Sequence, residues 1–522
     1  MRAVSDFPED ELQTALARLV ASELAFQRGT PPNAVYSFKH ALVQDAAHGS
    51  LLRSARQQLH AQIAEAIEAQ SPETKENQPE LLAQHYAEAG LVNESVAYWG
   101  KAGRRSAARS AMAEAVAQLQ RGLDQLALLA DNRERQRHEL ELCSVLAAAL
   151  MDVKGYAAPE TGQAYARARK LWEQLGSPSE FLQVPYGQSI YHRFRGEVDL
   201  AQRLAEDLLH LSLRRHDSAG IVLGHLSSGR NLMFAGRLAS SRSHFEEVLA
   251  LYDPNSHHSF DHQTGVHPHV TSQTNLGIVL FCLGFPDQAL AQSSAATAEA
   301  RRLAHPSSLA GSWASGAILL SLIGDSAALD ERVDRLVEVA TEQGFPHYRA
   351  EGTIYRGWGK VKNGNVAEGL LLLRSGASAY RATGAVSWVP YYIALLAAAC
   401  EISGRVEEGL ALLDEALQIS ERTGEHWFLA ELSRRKGQLL LRQGNTKAAE
   451  ELYRAALSIA VEQEAKLWEL RATVSLAPLL CHQGRRAEAR DLLAPVFGWF
   501  AEGFDTPDLT DAKALLGELG DD

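Results

Sequence analysis

The sequence predicts an all-α protein: an array of paired helices with a period of 40 residues, preceded by a small block of different character. Three observations predict it. Ala, Leu, Glu, Gln and Arg are abundant and β-branched runs are scarce, and straight-chain residues lose little rotamer freedom in a helix. Glycines recur at Gly196, Gly236, Gly284, Gly324, Gly364, Gly404, Gly444 and Gly484, spaced by 40 residues except for one interval of 48. Around them the same small and bulky positions return. With 522 residues, 46% apolar and 22% charged, the chain is long for one ordinary domain but suits a repeat array.

Residues 10–26, DELQTALARLVASELAF, carry the period of an amphipathic helix. A turn, RGTPPN, and a strand-like run, AVYSF, follow. HALVQDAAHGSLL and RSARQQLHAQIAEAIEA then read as two helices. Helix, turn, short strand and helix is the order in the C-terminal half of a winged-helix domain, so residues 1–70 are expected to form a small, partial winged-helix-like segment. The polar stretch SPETKENQPE, residues 71–80, holds two prolines and reads as a hinge. From Pro79 to about Leu129 the pattern is helical, with a turn at Gly90 and irregular spacing. Residues 71–130 are thus expected to be linking or capping helices. Residues 131–520 are the array, which Gly155 extends towards the N-terminus to nine or ten repeats.

Each repeat has a physical logic. A glycine closes one helix in a left-handed conformation at little cost. Small residues five and twelve positions later let two helices approach, and the residue at nine fills the space between them: Ala449, Tyr453 and Ala456 after Gly444; Ala289, Ser293 and Ala296 after Gly284. A further glycine sits seven positions before the turn at Gly229, Gly277, Gly357 and Gly437. In mid-helix glycine costs about 1 kcal/mol relative to alanine, so close packing is expected there. A second set of turns, Gly344, Gly384 and Gly424, precedes Tyr348, Trp388 and Trp427. The order small, turn glycine, small, aromatic, small resembles the tetratricopeptide repeat (TPR), although that repeat is usually about 34 residues long. The resemblance implies a right-handed superhelix with a concave face. The 48-residue interval places an insertion within Tyr252–Val270.

YSFKHALVQDAAHGSLLRSARQQLHAQIAEAIE resembles the segment that follows the nucleotide-binding core in STAND-type signalling ATPases. The nearest resemblance is to bacterial proteins that join a class III adenylate or guanylate cyclase, such an ATPase and a TPR tail. PELLAQHYAEAGLVNESVAYWGKAG, KGYAAPETGQAYARARKLWEQLG, and LYDP with LGFPDQALAQS are similar to that family too. The family usually has an aromatic at His48. No phosphate loop or cyclase domain occurs in these residues. The resemblance therefore implies a C-terminal, non-catalytic region of a larger cyclase–ATPase–TPR architecture, sensing a partner or effector through the TPR groove. A stand-alone TPR scaffold, or a transcriptional regulator binding DNA through the winged-helix segment, are the alternatives.

The search for chemistry points the same way. GWGKVK, Gly357–Lys362, lacks the hydroxyl residue and glycine spacing of a phosphate loop. GSWASG, Gly311–Gly316, is not a nucleophile elbow and follows no strand. No enzyme activity and no cofactor are expected of this chain. The net charge of −13 argues against sequence-independent nucleic-acid binding, although Arg53, Arg56, His40 and His60 are the residues a DNA-contacting reading would use. Cys143, Cys282, Cys400 and Cys481 form no CxxC pair, which suits small core residues in a reduced compartment. With no apolar h-region in MRAVSDFPEDELQ and no apolar run approaching about 18 residues, a cytoplasmic location without membrane contact is expected. His257, His258, His262, His267 and His269 crowd the insertion with Asp253 and Asp261. These are zinc-ligand types, but the irregular spacing and Pro268 favour a solvated loop. By analogy with TPR geometry, a protein or peptide partner would meet Tyr186, Arg193, Arg230, Phe234, Trp358, Arg434 and Gln438, because arginines and aromatics anchor peptides and acidic tails.

Overall fold

The computed structural model describes residues 4–5, 7–31, 34–253 and 267–520. Contacts divide the chain into two compact units, Met1–Arg109 with Glu114–Leu142, and Ser110–Ala113 with Cys143–Asp522. The protein is mostly helical, as composition predicts.

In the first unit, helix α1 (Glu9–Ala21) ends earlier than its periodicity suggests. Glu23 takes φ 57° and reverses the chain. Strand β1 (Ala25–Arg28) then pairs antiparallel with β2 (Val35–Phe38), Ala25 opposite Phe38 and Arg28 opposite Val35. Sequence alone assigned Ala25 and Phe26 to the helix. A short apolar run fits either period, and pairing with a distant segment decides it. Helices α2 (Ala41–Ser50) and α3 (Arg53–Gln70) follow. One helix, a hairpin and two helices fall short of a complete winged helix.

The expected hinge is itself a short helix, α4 (Pro72–Asn77), opened by a proline at its first position. Helices α5 (Pro79–Ala89) and α6 (Val92–Ala108) form a hairpin closed by Gly90 at φ 78°. Ala64, Leu82 and Tyr86 pack together, as do Ala83, Trp99 and Ala102. Glu68 of α3 accepts hydrogen bonds from the Tyr86 and Tyr98 hydroxyls and pairs with Lys75 at 2.9 Å. Those two hydroxyl bonds hold its carboxyl at about 2. One side chain thus ties α3, α4, α5 and α6.

Among the described residues of the second unit, eight helix pairs run from Gln183 to Trp499, and Pro507–Gly520 closes the series. All eight repeat glycines adopt positive φ, between 74° and 95°. The small positions do what their size implies. Ala289, Ala296, Ala449 and Ala456 are fully buried. A Cβ on Gly357 would stand 2.7 Å from the Leu373 backbone nitrogen, and one on Gly437 2.9 Å from the Tyr453 ring. Cys143, Cys282 and Cys400 are buried and Cys481 half-buried, and none of the four forms a disulfide.

The array winds back on itself. Phe194 O accepts the Val386 N–H at 2.7 Å, and Phe234 O accepts that of His426 at 2.7 Å. Tyr156 and Tyr348 share a 3.0 Å hydroxyl contact. Glu502 accepts the N–H groups of Asp287 and Gln288 at 3.0 and 3.1 Å, capping the helix Pro286–Leu303 from more than 200 residues away. Contrary to the sequence expectation, one helix, Pro306–Ile323, is long and apolar enough to cross a membrane. Two thirds of it is buried inside this stack, so packing accounts for its apolar character.

Candidate functional site

The winding buries several of the side chains expected to line the groove. Four of the candidate contacts meet in a first chamber. Tyr186, Arg193 and Phe234 are fully buried, on the helices Gln183–Phe194 and Ser218–Phe234. Arg230 lies one turn before Phe234 and is half-buried. The Arg193 guanidinium stands 5.1 Å from the Phe194 ring and 5.8 Å from that of Phe234. None of its three nitrogens meets a hydrogen-bond acceptor among the described residues, and the Tyr186 hydroxyl faces Arg230. Burial, and then the neighbouring Arg230 charge, push the Arg193 guanidinium well below its ordinary range. Arg230 lines a cavity of about 60 Å³ with Phe194, His347, Tyr348, Glu351 and Trp388.

Among the described residues, no carboxylate there supplies a strong counter-charge. Burial raises Glu351 to about 7, although the Tyr392 hydroxyl donates to it at 2.7 Å. Burial raises Asp152 to about 7 despite the Ser307 hydroxyl at 3.0 Å. It raises Glu425 to about 8, even though the Trp427 indole and the Trp388 N–H both donate to it at 3.1 Å. His347 is pushed to about 3 by burial and stays neutral. The chamber is thus an aromatic box around uncompensated guanidinium charge.

Trp358 and Arg434 meet in a second chamber of about 290 Å³, with Lys362, Tyr391, Arg435 and Arg471. Here the charges are matched. Arg434 binds the buried Glu431 through two bonds of 2.6 and 3.0 Å, and Arg471 binds Asp508 at 2.7 and 2.8 Å. Burial opposes ionisation of Glu431, but Arg434 and Arg471 outweigh it and hold the carboxyl at about 2. Gln438 is engaged by Glu401 at 2.9 Å and lies within 3.4 Å of Arg434. Glu431, Arg435, Arg471 and Asp508 escaped the sequence reading. Their signal was present as charges within helices otherwise read as packing faces.

In the insertion, His257, His258 and His262 lie outside the described residues. His267 is buried, with its Nε2 2.8 Å from the Tyr252 hydroxyl and its N–H donated to Ser308 Oγ at 2.8 Å. Burial lowers His267 to about 4 and lowers His269 as well. These two rings pack around Tyr252, with centroids 5.1 and 5.4 Å from its own. His60, grouped with Arg53 and Arg56 in the DNA-contacting reading, instead faces His48 and His85.

Fold and interior define a TPR-like α-α superhelical array. The family model for the tetratricopeptide repeat matches residues 391–462, the span of two helix pairs. An uncharacterised protein of Rhizobium meliloti (strain 1021) is 26% identical over 483 residues, covering 91% of this chain and 46% of its own length. The chain therefore spans about half of the curated relative it matches. Among solved structures, a Rap protein complexed with Competence and Sporulation Factor superposes with a TM-score of 0.51 at 14% identity, over 71% of this chain and 99% of that one. The APC/C hetero-tetramer Cut9–Hcn1 gives 0.46 at 11% identity, over 92% of each chain.

Proposed function

We propose that this chain is the regulatory, partner-binding region of a larger signalling protein, and that its array takes up an anionic group of a protein, peptide or small effector. The observation that carries this reading is the guanidinium of Arg193, buried without an acceptor among the described residues next to Arg230, which itself lines a cavity. An unpaired buried charge costs several kcal/mol, and an incoming carboxylate or phosphate offsets that cost by forming charge-assisted hydrogen bonds. Binding then favours whichever conformation closes the chamber, a population shift of the kind a sensor needs. The solved Rap complex supports the idea only as a fold that accommodates a bound factor.

The opening block supports the larger context. Phe26, Val35, Leu42 and Leu52 are 55%, 65%, 81% and 78% exposed, apolar side chains that a docking partner would cover. On the sequence resemblance, the block would join the array to an ATPase and a cyclase. The match to half of a longer relative is consistent with that.

Titration with inorganic phosphate and with succinate at constant ionic strength tests the anion reading. Each is expected to raise the melting temperature, and Arg230→Gln to abolish the rise. An equal response in the variant overturns the reading. An antibody against the chain tests the larger context in the source cells. It is expected to detect a species well above 56.9 kDa, whereas a single band at that mass would leave the stand-alone scaffold.

A further inference from the structure

Helix α2 has no buried residue. Little apolar packing holds it in place, yet its C-terminal turn is tied into a cluster of imidazoles. His48 Nε2 lies 3.3 Å from His60 Nε2 on α3, and the two rings meet edge to face with centroids 5.6 Å apart. His60 Nδ1 lies 2.8 Å from His85 Nδ1 on α5. Glu88 follows one turn after His85. The ligand atoms of His48, His60 and Glu88 all lie within 4.8 Å of one another. We propose that His48, His60 and Glu88 form a zinc(II) site that fastens α2 to α3 and α5.

Two arguments support it. The first is geometric. Ligand nitrogens about 2.0–2.1 Å from a tetrahedral zinc ion stand about 3.3 Å apart, and the His48–His60 pair already has this separation. The second is the tautomer. Neutral His60 carries one proton and faces a ring nitrogen on either side. Donating it from Nδ1 to His85 leaves the Nε2 lone pair directed at His48, so His85 is a positioning residue that sets the ligand form of His60. Two nitrogens and a carboxylate oxygen are the ligand set of a borderline divalent ion. Because His48 and Glu88 are exposed, the fourth position opens to water. The consequence is structural: metal would order a helix that packing alone holds weakly, in the block that presents the exposed apolar side chains. This does not depend on the anion reading.

The test is calorimetric titration of the metal-free full chain with zinc, with cobalt(II) as a spectroscopic substitute and hydrogen exchange across residues 41–50. The expected result is one tight site, intense tetrahedral cobalt bands, and metal-dependent protection of α2. His48→Ala and Glu88→Gln are expected to weaken binding by more than about 100-fold, and His85→Phe by about 10- to 100-fold with altered cobalt bands. Both ligand variants change exposed side chains, and circular dichroism verifies that they fold. His225→Ala, which removes another facing pair (Nδ1 to His244 Nδ1, 3.0 Å), is expected to leave binding unchanged. Undiminished zinc binding in His48→Ala, weak octahedral cobalt bands, or no metal-dependent protection of α2 would overturn the proposal.

Discussion

Buried carboxyl groups make the array sensitive to pH. Glu351 is held at about 7 in the folded chain, above the 4.5 of an exposed glutamate, so the folded state binds its proton more tightly than the unfolded state does. Its contribution is complete below about pH 4.5 and is lost as pH rises through about 7, a loss on the order of 3 kcal/mol. Asp152 and Glu425 act in the same direction. Glu431, held at about 2 by its arginines, acts in the other: its contribution is present above about 4.5 and disappears as pH falls towards 2. Glu351→Gln, which keeps an acceptor for Tyr392, is expected to flatten the fall in melting temperature between pH 5 and 8. An unchanged profile would show that Glu351 is already ionised in the fold. The arginines and aromatics of the array were legible as residue types, and the pairing of Arg434 as against the isolation of Arg193 was not. Sequence spacing places Glu431 one turn from Arg434, but only packing shows that no acid among the described residues reaches Arg193.

At the scale of the helix pair, glycine is a spacing device as well as a turn. Alanine at Gly357 would gain about 1 kcal/mol of helix propensity, yet its Cβ would meet backbone atoms of the facing helix at 2.7 and 2.9 Å. Overpacking typically costs 1–3 kcal/mol, so Gly357→Ala is expected to lower stability. Gly517→Ala, where a Cβ meets nothing within 4 Å, is expected to raise it by up to about 1 kcal/mol. Denaturant unfolding of the two variants checks this, and similar shifts in both would refute the close-approach account. Here the sequence was highly legible, because a 40-residue period repeats the same local demand many times. The β1–β2 hairpin was half legible: AVYSF had a strand's composition, whereas AFQR continued a helical pattern and needed its partner to be assigned.

For the array as a whole, contacts between residues nearly 200 positions apart couple repeats that a linear solenoid would leave independent. Glu502 provides a compact test. Its side chain caps a helix more than 200 residues away, and caps are worth about 0.5–2 kcal/mol. Glu502→Ala is expected to lower global stability by that amount and to speed hydrogen exchange at Asp287 and Gln288. Loss of protection confined to residues near position 502 would mean that the two ends behave separately.

From the sequence alone followed the helical class, the 40-residue period, the positive-φ turns and the small residues at helix contacts. These are local requirements, set by steric limits on φ and by side-chain volume, and each repeat restates them. The tertiary structure decided that several expected groove residues are buried, that Arg193 lies without an acceptor among the described residues while Arg434 is paired, and that His48, His60 and Glu88 converge. The outcomes within the array depend on how far each pair rotates against the next, and the convergence of the histidines on how α2, α3 and α5 pack. Small rotations accumulate over five repeats into contacts that no single repeat encodes.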